Sequence, residues 1–304
     1  MPEPIVRGFY YAAIHLTFAS MVALAALALT SVPRVSAGMK YWVWTVTAIN
    51  FFLPAGAILD RLWAQHLAWA RPLGFIGGEV NDILQNAAAS SLLGVVWFAG
   101  ATFMAVRLYR RIRAERSLTR KERPGFVTEG IPVQFGGNDQ GPQTAGILRT
   151  RISLPDGIDR LLSEPEVYAV LLHEVTHAKR RDNLTRLIYE AGLCVLWFHP
   201  LLWLAGSRLA LYRELSCDER VIRKGRAGDL ISALLKLAAP EGAAVLQTTT
   251  SSFLSHRLER LAAGQRRPTS RARAALMTAA FTAALLAGVF ETVAHTACCF
   301  LRKG

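Results

Sequence analysis

The chain has 304 residues, of which 52% are hydrophobic and only 19% charged, and its net charge is +13. That low charge content argues against an ordinary soluble domain. The basic residues cluster beside apolar runs, which is the pattern of membrane topology and excludes nucleic-acid binding as the main role. The four cysteines, Cys194, Cys217, Cys298 and Cys299, are too few and too scattered for a disulfide framework.

An apolar run over residues 8–30 is too long for the core of a signal peptide and reads as a retained span. A short loop with Arg34 and Lys40 follows, then a second span over 41–59, with Tyr41, Trp42 and Trp44 at an interface position. Residues 60–85 form a mixed surface segment. A third span over 87–106 ends in Arg107, Arg110, Arg111, Arg113, Arg116, Arg120, Lys121 and Arg123. By the positive-inside rule this run lies in the cytoplasm, as does the loop with Arg34 and Lys40. Residues 125–155 are rich in Gly, Pro and Thr and read as short strands and turns, whose edge could accept a substrate peptide as a further strand.

Ser163, Pro165 and Glu166 then form a capping box with proline in the first turn of a helix. That helix carries His173-Glu174-Val175-Thr176-His177, an H-E-x-x-H motif. His173 and His177 project from one helical face, where two imidazoles can share one Zn²⁺. Glu174 beside them is placed to act as general base.

A catalytic zinc needs a third protein ligand, and the candidates are Glu190, His199 and Glu214. The apolar segment 184–211 lies between the motif and Glu214, and His199-Pro200 interrupts it. One full crossing would put Glu214 on the wrong side of the membrane, and two would need roughly 40 residues. The segment is therefore expected to turn back near Pro200 as a shallow hairpin of two short helices. Glu214 is the preferred ligand, on a separate helix packed against the first. Asp218, one turn later, would orient a histidine through its other ring nitrogen, and Asp182 could do the same. A basic segment over 256–273 is cytoplasmic, and a last span over 274–297 contains Glu291 and His295.

These residues resemble a known family: the membrane zinc metallopeptidases that include the beta-lactam-sensing signal transducers of the penicillinase and methicillin-resistance systems. The likeness is carried by Ile152-Ser153-Leu154-Pro155, by the zinc motif followed by Arg180-Arg181-Asp182, by Trp197-Phe198-His199-Pro200-Leu201-Leu202-Trp203, and by Glu214-Leu215-Ser216-Cys217-Asp218-Glu219. It is close over 125–222 and holds only in pattern over the flanking spans. The resemblance implies His173, His177 and Glu214 as zinc ligands and Glu174 as the base. Sensing members carry a C-terminal penicillin-binding domain, which this chain is expected to lack, and a separate sensor subunit is one way to replace it.

The fold expected is a mainly α, polytopic membrane protein, with transmembrane helices around a cytoplasm-facing, zincin-like α+β metalloprotease domain. Residues 1–106 hold the N-terminal spans, 107–273 the protease domain with its membrane-dipping hairpin, and 274–304 the last span and tail. The expected function is a zinc endopeptidase of the bacterial inner membrane that cuts a cytoplasmic regulatory protein, a DNA-binding repressor being the leading type, with a homodimer as one assembly. The alternatives are a signalling scaffold with a structural zinc and a membrane quality-control protease. The latter's relatives place two spans between the histidines and the glutamate, and this chain is too short there.

Overall fold

The computed structural model describes residues 3–32, 35–52, 87–118, 123–136, 141–238 and 249–264. The segment 60–85, the end of the second expected span and the span over 274–297, with Glu291, His295, Cys298 and Cys299, lie outside the described residues. The described chain is mostly helical with one sheet. It runs α1 (Glu3–Thr30), α2 (Ala37–Phe52), α3 (Ala87–Leu118), β1 (Arg123–Thr128), β2 (Ile131–Phe135), β3 (Gln143–Ala145) and β4 (Arg151–Leu154). It continues through α4 (Ile158–Leu161), α5 (Glu164–Arg180), α6 (Asp182–Val195), α7 (Pro200–Arg223), α8 (Ala227–Ala238) and α9 (Thr249–Ala262).

Among the described residues one helix is long and apolar enough to cross a membrane, over Ser90–Arg116, and almost none of it is buried. Leu92, Val95, Phe98 and Phe103 on it are each more than half exposed. A shorter apolar stretch covers His15–Thr30. Helix α2 behaves differently. Trp42 faces outward, but Tyr41 and Trp44 are buried, so two of the three aromatics expected at a lipid interface serve the protein interior instead. They pack with Phe18 and Val22 of α1 and Leu209 and Leu215 of α7.

The strands read from residues 125–155 form a four-stranded sheet of order β1-β2-β4-β3. β1 and β2 are antiparallel, β2 and β4 parallel, and β3 and β4 antiparallel, which leaves β3 at an edge. The β1–β2 turn uses Glu129 and Gly130, both at positive φ, as a tight hairpin requires. Val133, Ile152 and Leu154 pack on Leu171, Leu172 and Val175 of α5, and Val221, Leu230 and Leu261 close this core. Burying side chains of this size contributes about 1.5–3 kcal/mol each, so the sheet is a platform that fixes one face of α5.

Helix α5 begins with the capping box read from the sequence: the Glu166 carboxylate accepts the Ser163 N–H at 2.7 Å, and Pro165 lies in the first turn. It ends at Arg181, whose φ of 57° is left-handed. That single residue ends one helix and caps the next, so Asp182 opens α6 directly after the end of α5.

The hairpin between the motif and Glu214 turns at residues 196–199, with His199 as N-cap of α7 and Pro200 in its first turn. Its second arm is not short. α7 runs unbroken for 24 residues and carries the hairpin arm, Glu214 and Asp218 together, where the sequence was read as two helices. Pro200 has no interior counterpart on α7, and Gly206, the residue most able to weaken the helix, is needed for packing. A Cβ there would meet the Tyr189 hydroxyl at 2.1 Å. Gly192 on α6 likewise admits the Phe52 ring, which would lie 2.2 Å from a Cβ. Missing side chains thus let aromatics seat against helix backbone, a packing device of membrane helices.

Candidate metal centre

The α5 face opposite the sheet presents His173 and His177, and α7 crosses in front of them. His173 Nε2 lies 3.0 Å from His177 Nε2. Glu214 Oε2 lies 3.3 Å from the first nitrogen and 3.6 Å from the second. A tetrahedral ion with donors at about 2.0–2.1 Å has donor–donor edges of about 3.3 Å. The three observed edges bracket that value, so the donor set fits a zinc-sized ion. The other two candidates are elsewhere. Glu190 is ion-paired to Arg111 and Arg186. His199 sits at the hairpin turn against Ser20 and the Phe51 ring.

Each histidine is held from behind. His177 Nδ1 lies 2.6 Å from Asp182 Oδ2, and His173 Nδ1 lies 2.9 Å from Asp218 Oδ1. With Nδ1–H donating, both Nε2 lone pairs are left for an ion. Both carboxylates are almost fully buried. Each is gripped by an arginine: Arg180 Nε and Nη2 donate to the two Asp182 oxygens at 2.6 Å each, and Arg257 Nε and Nη2 to the two Asp218 oxygens at 2.9 Å each. Arg257 Nη1 also lies 3.7 Å from Glu214 Oε2.

The cluster attracts positive charge. Burial and the Arg257 guanidinium oppose a proton on His173, yet Asp218 and Glu214 outweigh them and lift its pKa to about 9. Burial opposes a proton on His177 as well, and Glu214, Cys217 and Asp182 outweigh it. Burial works against the Glu214 carboxylate, but the two histidines hold its pKa well below the usual range. A cation among these groups meets partners already arranged for it.

Glu174 lines the adjoining cleft, a cavity of about 490 Å³ that His177 and Glu214 also line. Its Oε2 and its backbone oxygen both lie 2.9 Å from the Thr144 hydroxyl on edge strand β3. Asn183 Nδ2 donates to the carbonyls of Thr144 and Gly146 at 2.9 and 3.1 Å, which ties β3 to the start of α6. Ile112, Glu115 and Arg116, at the basic end of α3, form the opposite wall.

The sequence reading brought together His173, Glu174, His177, Glu214, Asp218 and Asp182, and the structure places all six in one cluster. It missed Thr144, Tyr41 and Arg257. Thr144 lies in a three-residue strand with no motif around it. Tyr41 had an apolar context that pointed to lipid, and Arg257 was one basic residue among many. Arg180 was legible as part of the run that follows the motif.

An HExxH pair on a sheet-backed helix, completed by a glutamate from a second helix, defines the general class of metallopeptidase-like sites. The comparison with known families agrees: the BlaR1 peptidase M56 family matches residues 11–261, and the chain belongs to that family of metallopeptidases and signal transducers. Among curated relatives, the methicillin resistance mecR1 protein of Staphylococcus aureus is 24% identical over 160 residues, covering 48% of this chain and 27% of the relative. The regulatory protein BlaR1 of Bacillus licheniformis is 38% identical over 82 residues, covering 27% of this chain and 14% of the relative. The matched part is thus about a quarter or less of each relative's length.

Proposed function

We propose that the chain is a zinc endopeptidase of the bacterial inner membrane that hydrolyses a peptide bond in a cytoplasmic regulatory protein of repressor type. The observation that carries this reading is the triangle of His173 Nε2, His177 Nε2 and Glu214 Oε2 beside a cleft lined by Glu174. These three side chains would hold Zn²⁺. When bound, the ion supplies Lewis acidity that polarises the scissile carbonyl and makes water acidic near neutral pH. Glu174 takes the proton of the attacking water and delivers it to the leaving amine nitrogen. Thr144 holds the Glu174 carboxylate toward the cleft. β3, the edge strand along the cleft, is the seat for an extended substrate chain, which would add as a strand.

The multi-pass architecture and the domain limits at about 106 and 273 belong to the same proposal. The exposed apolar surface of α3 supports a lipid-facing span, and its arginine-rich end supports a cytoplasmic exit. Arg116 lies at that end and lines the cleft, which supports an opening on the cytoplasmic side. A helix pair with Val195, Phe198 and Trp203 exposed at its turn supports shallow insertion of the hairpin tip. The relatives named for methicillin resistance and regulation support a signalling role and a repressor-type partner; a separate sensor subunit and a homodimer are compatible assemblies.

Glu174→Gln tests the reading. Expressed in cells, the variant should retain zinc and lose the new N-termini that wild type generates in cytoplasmic regulatory proteins. Unchanged cleavage by the variant overturns the proposal. Signalling that persists without cleavage would mark a scaffold.

A further inference from the structure

We infer that Tyr41 is a positioning residue for the metal centre, acting on His177 through Asp182. The inference rests on the zinc-site reading above and adds a residue to it from the N-terminal helices. The Tyr41 hydroxyl donates to Asp182 Oδ1 at 3.1 Å, and Tyr41 and Asp182 are each 2% exposed. Asp182 Oδ2 in turn receives His177 Nδ1 at 2.6 Å. One hydroxyl therefore stands two hydrogen bonds from the ring of a ligand histidine. The tyrosine ring also carries Arg180, whose guanidinium carbon lies 4.1 Å from the ring centre. Tyr41 thus touches both the Asp182 carboxylate and the guanidinium that grips it.

The position of Tyr41 is itself referenced to α7. Glu219 Oε1 accepts the Ala37 N–H at 2.6 Å and Oε2 the Gly38 N–H at 3.4 Å, so Glu219 caps α2 one turn before Tyr41. Glu219 follows Asp218 directly and shares α7 with Glu214. The helix that supplies the third donor therefore also seats the helix that braces the second. Sliding α2 by one turn, about 5.4 Å, would withdraw the hydroxyl and leave Asp182 Oδ1 with Arg180 alone. The geometry makes the orientation of His177 sensitive to where α2 sits.

The test uses the full chain in detergent, loaded with Zn²⁺ and titrated with a chromogenic chelator. Tyr41→Phe should weaken zinc binding severalfold, less than the roughly tenfold or more that direct partners of metal ligands contribute. Thr47→Val removes another buried hydroxyl of α2, one that bonds along its own helix to the Val43 carbonyl at 2.8 Å, and should leave zinc binding unchanged. Asp182→Ala should weaken binding more, and Tyr41→Phe added to it should produce no further loss. The inference is overturned if Tyr41→Phe binds as wild type, if its loss adds in full to that of Asp182→Ala, or if Thr47→Val loses as much. Should Asp182→Ala fail to fold, the visible absorption of the Co²⁺-loaded chain decides: Tyr41→Phe should shift it, and an unchanged spectrum overturns the inference. A wild-type chain without stoichiometric zinc refutes the metal-centre reading itself, which is a separate result.

Discussion

His177 rests on Asp182, at the start of the very next helix, and Asp182 is gripped by Arg180 two residues back. His173 rests on Asp218 of α7, which is gripped by Arg257 of α9. The chemistry of the two arms is the same: imidazole, buried carboxylate, two-pronged guanidinium. Their origins differ. The His177 arm takes its imidazole, carboxylate and guanidinium from one short stretch around the left-handed turn at Arg181, and Tyr41 of α2 with Arg213 and Ser216 of α7 braces it from outside. The His173 arm exists only when α5, α7 and α9 have all docked. A local arm can form early and is then tied to the seat of α2 through Tyr41, whereas a remote arm reports on the whole assembly.

Removing the donor that stands between the two arms should have the largest effect. Glu214→Ala is expected to drop bound zinc from one per chain to background, measured by elemental analysis of the purified chain. Zinc retained at full stoichiometry would place the third donor elsewhere and dissolve the comparison. Next comes the contrast between the arms. Asp218→Ala leaves Arg257, in a largely buried position, with only the longer 3.7 Å approach to Glu214 among its described carboxylate partners, and breaking such a pair costs about 3 kcal/mol of stability. Asp182→Ala should cost less, because Arg180 keeps the Ser216 hydroxyl, the Arg213 carbonyl and the Tyr41 ring. Denaturant midpoints of the two variants read the difference directly, and equal midpoints would erase the distinction between local and remote arms.

Thr144→Val probes the cleft without touching either arm. It removes the hydroxyl held against Glu174 and should slow cleavage about tenfold with zinc content intact, the size of one hydrogen bond to a charged group. A loss of zinc instead would mean that β3 supports the donors and not the base.

The smallest effect belongs to a carboxylate away from the centre. The Lys236 ammonium, with the Ser232 hydroxyl and the Ser163 N–H, holds the Glu166 carboxyl down at about 2. A depressed folded pKa contributes stability above the unfolded value near 4.5, and that contribution is lost as pH falls from there toward 2. Glu166→Gln should therefore flatten the pH dependence of the denaturation midpoint between those limits and leave zinc binding at neutral pH unchanged. This reference variant separates a general weakening of α5 from a specific effect on either arm.

Much of the centre was legible because it follows local rules. Helical spacing puts His173 and His177 on one face, Ser163 and Glu166 announce where that helix begins, and Pro200 marks where the hairpin must turn. Asp218 followed from its place one turn after Glu214. The strands over 125–155 were legible as strands but not as an ordered sheet, because β2 pairs with β4 across an intervening strand and no local signal sets that register.

The sequence by itself offered which side chains could ligate and which could act as base, and required Glu214, if it ligates, to return to the face of the motif, since spacing along one helix and the length of a crossing are properties of the chain alone. Only the tertiary structure decided what stands behind the donors. Arg257 and Thr144 have ordinary local contexts, and the aromatic-rich start of α2 pointed Tyr41 toward lipid. Their roles come from α9, β3 and α2 packing against α5, α6 and α7, and a buried carboxylate selects its partners by proximity in space, which residue order does not encode.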